Sequence, residues 1–282
     1  MRKRTLLFLL IVLAGAGYML SHFFLREHKV GMTVLLPGIL VLLSTLKRFL
    51  NTRFKMAGFI ILVMIPLTMF ISLRYLGDRK YYFVSLLIAI YTMVPFFMLF
   101  EKREPKAREL ILISVMVALA VAGRGALYFL PHVKPVIAIV IISGLGFGAE
   151  AGFLVGAMSA FVSNFFFGQG PWTPWQMFTY GLIGFIAGIL FKKKLLPNNK
   201  IAISIFGFLS ILCIFGPILN PASALMAQGY VDLDSLKRYM LSGLPVDLVH
   251  GSATAIFLWF LAEPMLEKIE RVRIKYGLLE AQ

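Results

Sequence analysis

Asp247 and His250 stand three residues apart in an apolar stretch of a 282-residue chain. On a helix that spacing puts both side chains on one face. They could form an acid–base pair, or offer a carboxylate and an imidazole to a ligand. Arg124 is another ionisable group inside an apolar run. A charge at the centre of a bilayer costs about 2.5–3.5 kcal/mol on insertion scales, and less near the surface. Two arrangements would offset that cost: an Arg124–Asp247 pair that holds two helices together, or a polar pocket that meets a ligand. The two are compatible.

The segment Phe165-Phe-Phe-Gly-Gln-Gly-Pro-Trp-Thr-Pro-Trp-Gln176 is the most informative stretch. Its prolines and glycines prevent a continuous helix. Trp172 and Trp175 flank the turn. They could anchor the chain at the headgroup level. Held in a rigid frame beside Gln169, Thr173 and Gln176, they equally suit a flat, partly apolar ligand.

Other chemistries lack their residues. One cysteine, Cys213, permits no intramolecular disulfide, and four scattered histidines make a metal centre a poor expectation. No H-E-x-x-H or G-x-S-x-G occurs, no nucleophile stands out, and no catalytic residue is assigned. Gly144-Leu-Gly-Phe-Gly-Ala149 matches a nucleotide fingerprint as a string. That fingerprint needs a strand before it, and here it joins two apolar helices. No G-x-x-x-x-G-K-[ST] loop is present, so ATP hydrolysis by that route is excluded.

The elements that must position these residues follow from composition. Hydrophobic residues make up 60% of the chain and charged residues 15%, against about 45–50% and 25% in a soluble domain. The expected fold class is therefore all-α: a polytopic membrane helix bundle. Ten runs approach the roughly 20 apolar residues that a span needs: 5–25, 32–46, 56–73, 81–100, 109–130, 135–149, 151–167, 175–191, 201–219 and 243–262. The net charge of +15 is read as orientation in the bilayer rather than as nucleic-acid binding. With both termini inside, 19 of the 28 basic residues fall on the cytoplasmic side. The tripled lysine 192–194 is among them, and the tryptophan loop lies outside. The first 25 residues resemble a signal peptide but are read as an uncleaved span.

The polar stretch 101–108 divides the chain into an N-terminal membrane region, 1–105, and a six-span domain, 106–282. The N-terminal spans carry few polar groups, and no internal repeat suggests a secondary transporter. Function is therefore expected in the second half. The linker 220–242, with Asn220, Tyr230, Asp232 and Asp234, is long enough to fold over an outer pocket as a lid. It could also be a plain connection with a short helix near 233–241. The tail 264–282 is charged. Ser114, Ala118 and Ala122 recur every four residues, so one helix face is nearly bare. That face would pack within the bundle or receive a partner helix.

On these features residues 106–282 resemble the substrate-binding S component of an energy-coupling factor (ECF) vitamin transporter. Six spans have both ends cytoplasmic, and Ala118-x-x-x-Ala122 is similar to the family's docking motif. The aromatic segment 165–176 is similar to the family loop between helices three and four, most of all in the cobalamin or corrinoid subgroup. The resemblance implies capture of a vitamin at the outer face, under loops at about 131–134, 168–175 and 220–242. It implies docking on a transmembrane coupling subunit and two ATPase subunits, so the chain itself carries no cofactor and is no enzyme. Substrate contacts would come from Arg124, Tyr128, Asn164, Gln169, Trp172, Thr173, Trp175, Gln176, Asn220, Tyr230, Asp247 and His250. Ser114, Ala118 and Ala122 would face the coupling subunit. A self-sufficient permease, or an intramembrane enzyme using Asp247 and His250, are the competing readings.

Overall fold

A computed structural model describes residues 107–229 and 231–276, with isolated helical positions between 87 and 101. The expected spans 5–25, 32–46 and 56–73 lie outside the described residues, as does most of 81–100. The described residues are helical, with no strand among them. Six helices follow in order: α1 Ala107–Ala126, α2 Val136–Phe147, α3 Ala149–Phe167, α4 Thr173–Lys192, α5 Lys200–Gln228 and α6 Leu233–Tyr276. All but α2 are long and apolar enough to cross a membrane. The protein is an integral membrane protein.

At 12 residues, α2 is about 18 Å long, well short of a bilayer's apolar thickness. Every residue but Leu145 is buried, as expected of a helix that is apolar on all sides. It forms the centre of the bundle, packed against α1, α3, α4 and α6. The turn from α2 to α3 is a single residue, Gly148, at φ 99°, a conformation that side chains resist. Glycine also sets the distance between helices. A Cβ on Gly152 of α3 would lie 2.6 Å from the Gly184 carbonyl oxygen of α4, and one on Gly144 of α2 would strike that same oxygen. Gly144, Gly152 and Gly184 therefore let three backbones meet.

Three turns share one end of the bundle: 127–135, 168–172 and 229–232. We call this the tryptophan end; the lysine run 192–194 lies at the other. Lys134 ties down the first turn. It donates to the carbonyl oxygens of Leu127, Tyr128 (3.0 Å) and Leu130 (2.8 Å). Burial and the nearby Arg124 charge hold its ammonium below the ordinary lysine range.

The stretch 220–242 is neither a separate lid over the bundle nor a plain linker. It is a helical hairpin. α5 runs on through Pro221 to Gln228, α6 starts at Leu233, and only 229–232 turns. Gly229, at φ 79°, closes α5. Asp232 opens α6: its Oδ1 accepts from Ser235 N–H at 2.7 Å, and Ser235 Oγ accepts from Asp232 N–H at 2.9 Å. This reciprocal cap makes helix cheaper than coil. The expected short helix near 233–241 is the first part of α6. Pro221, expected in the linker, and Pro245, expected within the last span, are both carried inside helices.

Candidate functional site

Arg124 sits in the last turn of α1. Its Nη1 donates to Ser163 Oγ at 2.5 Å and to Asn164 Oδ1 at 2.9 Å, both on α3. Asn164 is fully buried. Its Nδ2 donates to Gln176 Oε1 at 2.8 Å and to Thr173 Oγ1 at 3.0 Å, both on α4. Thr173 Oγ1 donates to Gln169 Oε1 at 2.9 Å, and Gln169 Nε2 donates to the Phe161 carbonyl at 3.1 Å. One continuous network thus joins α1, α3, α4 and the loop between them. Ser163, Asn164 and Thr173 are its buried members and must find protein partners, whereas Arg124 and Gln176 are half-buried and Gln169 is exposed. The guanidinium also lies 5.0 Å from the centre of the Phe167 ring, on which Tyr128 stacks at 5.4 Å.

A second group forms between α5 and α6. Asn220 Nδ2 donates to Asp247 Oδ2 at 2.9 Å. Gly216 and Gly243 leave room for that contact: a Cβ on Gly216 would strike Asp247 Oδ2, and one on Gly243 would lie 2.5 Å from Asn220 Nδ2. The His250 ring meets the edge of Phe215 at 4.7 Å, and Phe215 stacks on Tyr180 of α4 at 6.0 Å. Phe215 is delivered by a π-helical stretch, Ile211–Phe215, inside α5; such stretches are frequent at functional sites. From the first turn His132, at φ 59°, lies within electrostatic reach of both Asp247 and His250.

Arg124 and Asp247 are not partners. Arg124 is held by Ser163 and Asn164, and Asp247 by Asn220. Of the expected site residues, the structure joins Arg124, Asn164, Gln169, Thr173 and Gln176 by hydrogen bonds, with Tyr128 one ring away. It brings Asn220, Asp247 and His250 together apart from these. Trp172 is 40% exposed, and its ring covers Gly170. Trp175 is half-buried. Tyr230 lies outside the described residues. Beside the loop an open, mostly apolar hollow of about 540 Å³ is lined by Phe161, Gln169, Thr173 and Met177, with Ile90 and Met93 from the stretch before α1.

Sequence reasoning missed Ser163, Phe167, Tyr180, Phe215 and His132. Tyr180, the one tyrosine of the glycine-rich α4, carried a signal. The left-handed backbone at His132 and the π turn before Phe215 carried none. No group of three or more His, Cys, Asp or Glu side chains among the described residues could hold a metal ion. On α1, Ser114, Ala118 and Ala122 are exposed. The packing of this face within the bundle is therefore not seen among the described residues.

A family model described as "ECF-type riboflavin transporter, S component" matches residues 105–265, more than half of the chain. A UPF0397 protein of Vibrio atlanticus (strain LGP32) is 25% identical over 125 residues, which cover 42% of this chain and 68% of that protein. No solved structure matches.

Proposed function

We infer the function from one premise: the chain belongs to the family of ECF-type riboflavin transporter S components. In our reading it is the substrate-binding membrane subunit of an ECF importer. It captures a planar vitamin at the tryptophan end, which faces outward, while both termini face the cytoplasm. Energy comes from a transmembrane coupling subunit and two ATPase subunits, against which Ser114, Ala118 and Ala122 dock. Residues 1–105 form a separate membrane region and 106–282 the binding domain.

One observation carries this reading: the half-buried Arg124–Asn164–Gln176 network beside aromatic rings, at the end where three turns meet. Convergent polar groups among apolar walls are what a small-molecule site needs. A flavin is the first candidate, by the family's description and because short turns and single rings suit a compact ligand. A corrinoid is the second, favoured by the Trp172–Trp175 loop. Calorimetry on the purified full chain with riboflavin, cyanocobalamin, thiamin, biotin and folate tests both. We expect one tight binder and no ATPase activity. Binding to none of them by folded protein overturns the reading. Uptake into liposomes by the chain alone would point instead to a permease.

A further inference from the structure

One stretch packs across the boundary drawn at residue 105 and lies outside the family match. Met93, Phe97 and Phe100 are helical positions four and three residues apart, a spacing that puts them on one face. Met93 and Phe100 are buried, and Phe97 is half-buried. The Phe97 and Phe153 rings meet edge to face at 5.9 Å, and Met93 packs with Phe153 and Ala157 of α3. Phe153 is fully buried. Its ring lies over Gly181 of α4, where a Cβ would come within 2.7 Å of it. Phe153 is therefore a wedge between α4 and the stretch before α1. Ile90 and Met93 of that stretch also form one wall of the open hollow, and Gly170, Pro171, Thr173 and Pro174 form another. The second wall is the tryptophan loop itself.

We propose that the stretch before α1 is a positioning arm for the tryptophan loop: Phe97 on Phe153 fixes it against the α3–α4 pair, and Ile90 and Met93 limit how far the loop can move. That the loop meets a vitamin rests on the S-component reading; that the arm holds the loop does not. Lipid tails are as apolar as leucine, so burial alone gives a membrane helix little reason to sit on α3. Ring-on-ring packing is directional and sets a position. On one side the loop is tied by the Thr173 hydroxyl, which donates to Gln169 Oε1. Across the hollow the arm stands opposite it. Holding the arm there confines loop excursions and slows release of whatever the loop covers. Residues outside the six helices thereby take part in capture, as positioning residues that need touch no ligand.

The test uses the full chain in lipid nanodiscs. Trp172→Phe and Trp259→Phe leave Trp175, at the loop's edge, as the one tryptophan of three. In that background and without ligand, Phe97→Ala should raise acrylamide quenching of Trp175 about twofold, because the segment opens locally more often. Phe97→Tyr, which keeps the ring, should restore the original quenching. In the chain with all its tryptophans, Phe97→Ala should speed riboflavin release about fivefold and leave association nearly unchanged, as most changes at a binding site do. If Phe97→Ala does not fold, Ile90→Ala, at the exposed rim of the hollow, decides by the same quenching. A lower melting temperature with unchanged quenching makes the arm a prop for stability and overturns the proposal. So does a rise in quenching that Phe97→Tyr fails to reverse. Absence of binding by every vitamin of the panel removes the S-component reading, while the ligand-free quenching still decides on the arm.

Discussion

Asn164 is the residue on which the α1–α3–α4 network turns, because it accepts from Arg124 and donates to Thr173 and Gln176 at once. Asn164→Ala would leave three polar side chains short of a partner. Each such loss costs about 1–3 kcal/mol where the group stays buried. We expect a lower melting temperature in detergent and at least tenfold weaker ligand binding, measured by calorimetry. Asn164→Asp, which keeps the acceptor for Arg124, should retain more stability than the alanine variant; equal loss would mean that the guanidinium contact contributes little. At this scale the sequence was informative where charge and depth conflict. Arg124, Asp247 and His250 stood out because ionisable groups rarely sit in apolar runs. It misled on their pairing: opposite charges invite a salt bridge, and nothing in the chain revealed that Ser163 and Asn220 would supply the partners.

The helices α3 and α4 are held by contact between bare backbones, and Gly184 is central to it. Gly184→Val would force them apart. Overpacking typically costs about 1–3 kcal/mol, and more where backbone must move; thermal unfolding of the purified variant should shift down accordingly. The α5–α6 turn makes a pH-dependent prediction. Hydrogen bonds from the Ser235 side chain and backbone hold the Asp232 carboxyl below its ordinary range. A carboxyl depressed in the folded state stabilises above its unfolded pKa, and that stabilisation fades as pH falls through the folded value. Amide protection at 233–236, corrected for intrinsic exchange, should drop as the medium is acidified below the usual carboxylate range. Asp232→Asn, also a good cap, should remove the dependence. The helix at 220–242 was hidden because Pro221, Gly229 and two aspartates read locally as linker. Among the described residues the expected spans agree with the helices to within a few residues except here and at the far end of α6, which runs to Tyr276 rather than ending near 262, since apolar length is a long-range signal and a cap is not.

For the whole molecule, the six helices among the described residues 107–276 were readable from composition and loop spacing, and residues 105–265 match the family. The ligand was not readable, because it depends on which helix ends converge. The docking role proposed for the exposed face of α1 predicts that capture and delivery can be separated there. Ala118→Trp adds bulk where Ser114, Ala118 and Ala122 are exposed, away from the polar network. Vitamin affinity should stay within twofold of wild type. Uptake by cells carrying the coupling and ATPase subunits should fall to background, and co-purification with the coupling subunit should be lost. Normal uptake would place the partner on another face.

The π stretch Ile211–Phe215 gives α5 one residue more than an α-helical path needs, as the Gly216 N–H bonding back to Ile211 shows. Each helical residue turns the chain about 100°. The phase of everything downstream therefore hangs on a single surplus amino acid. Deleting Leu212 would relax the stretch into ordinary helix and swing Asn220 a quarter-turn or more away from Asp247. The shortened protein should insert and fold yet bind no vitamin. A change of one codon, with no contact residue altered, would then silence the receptor.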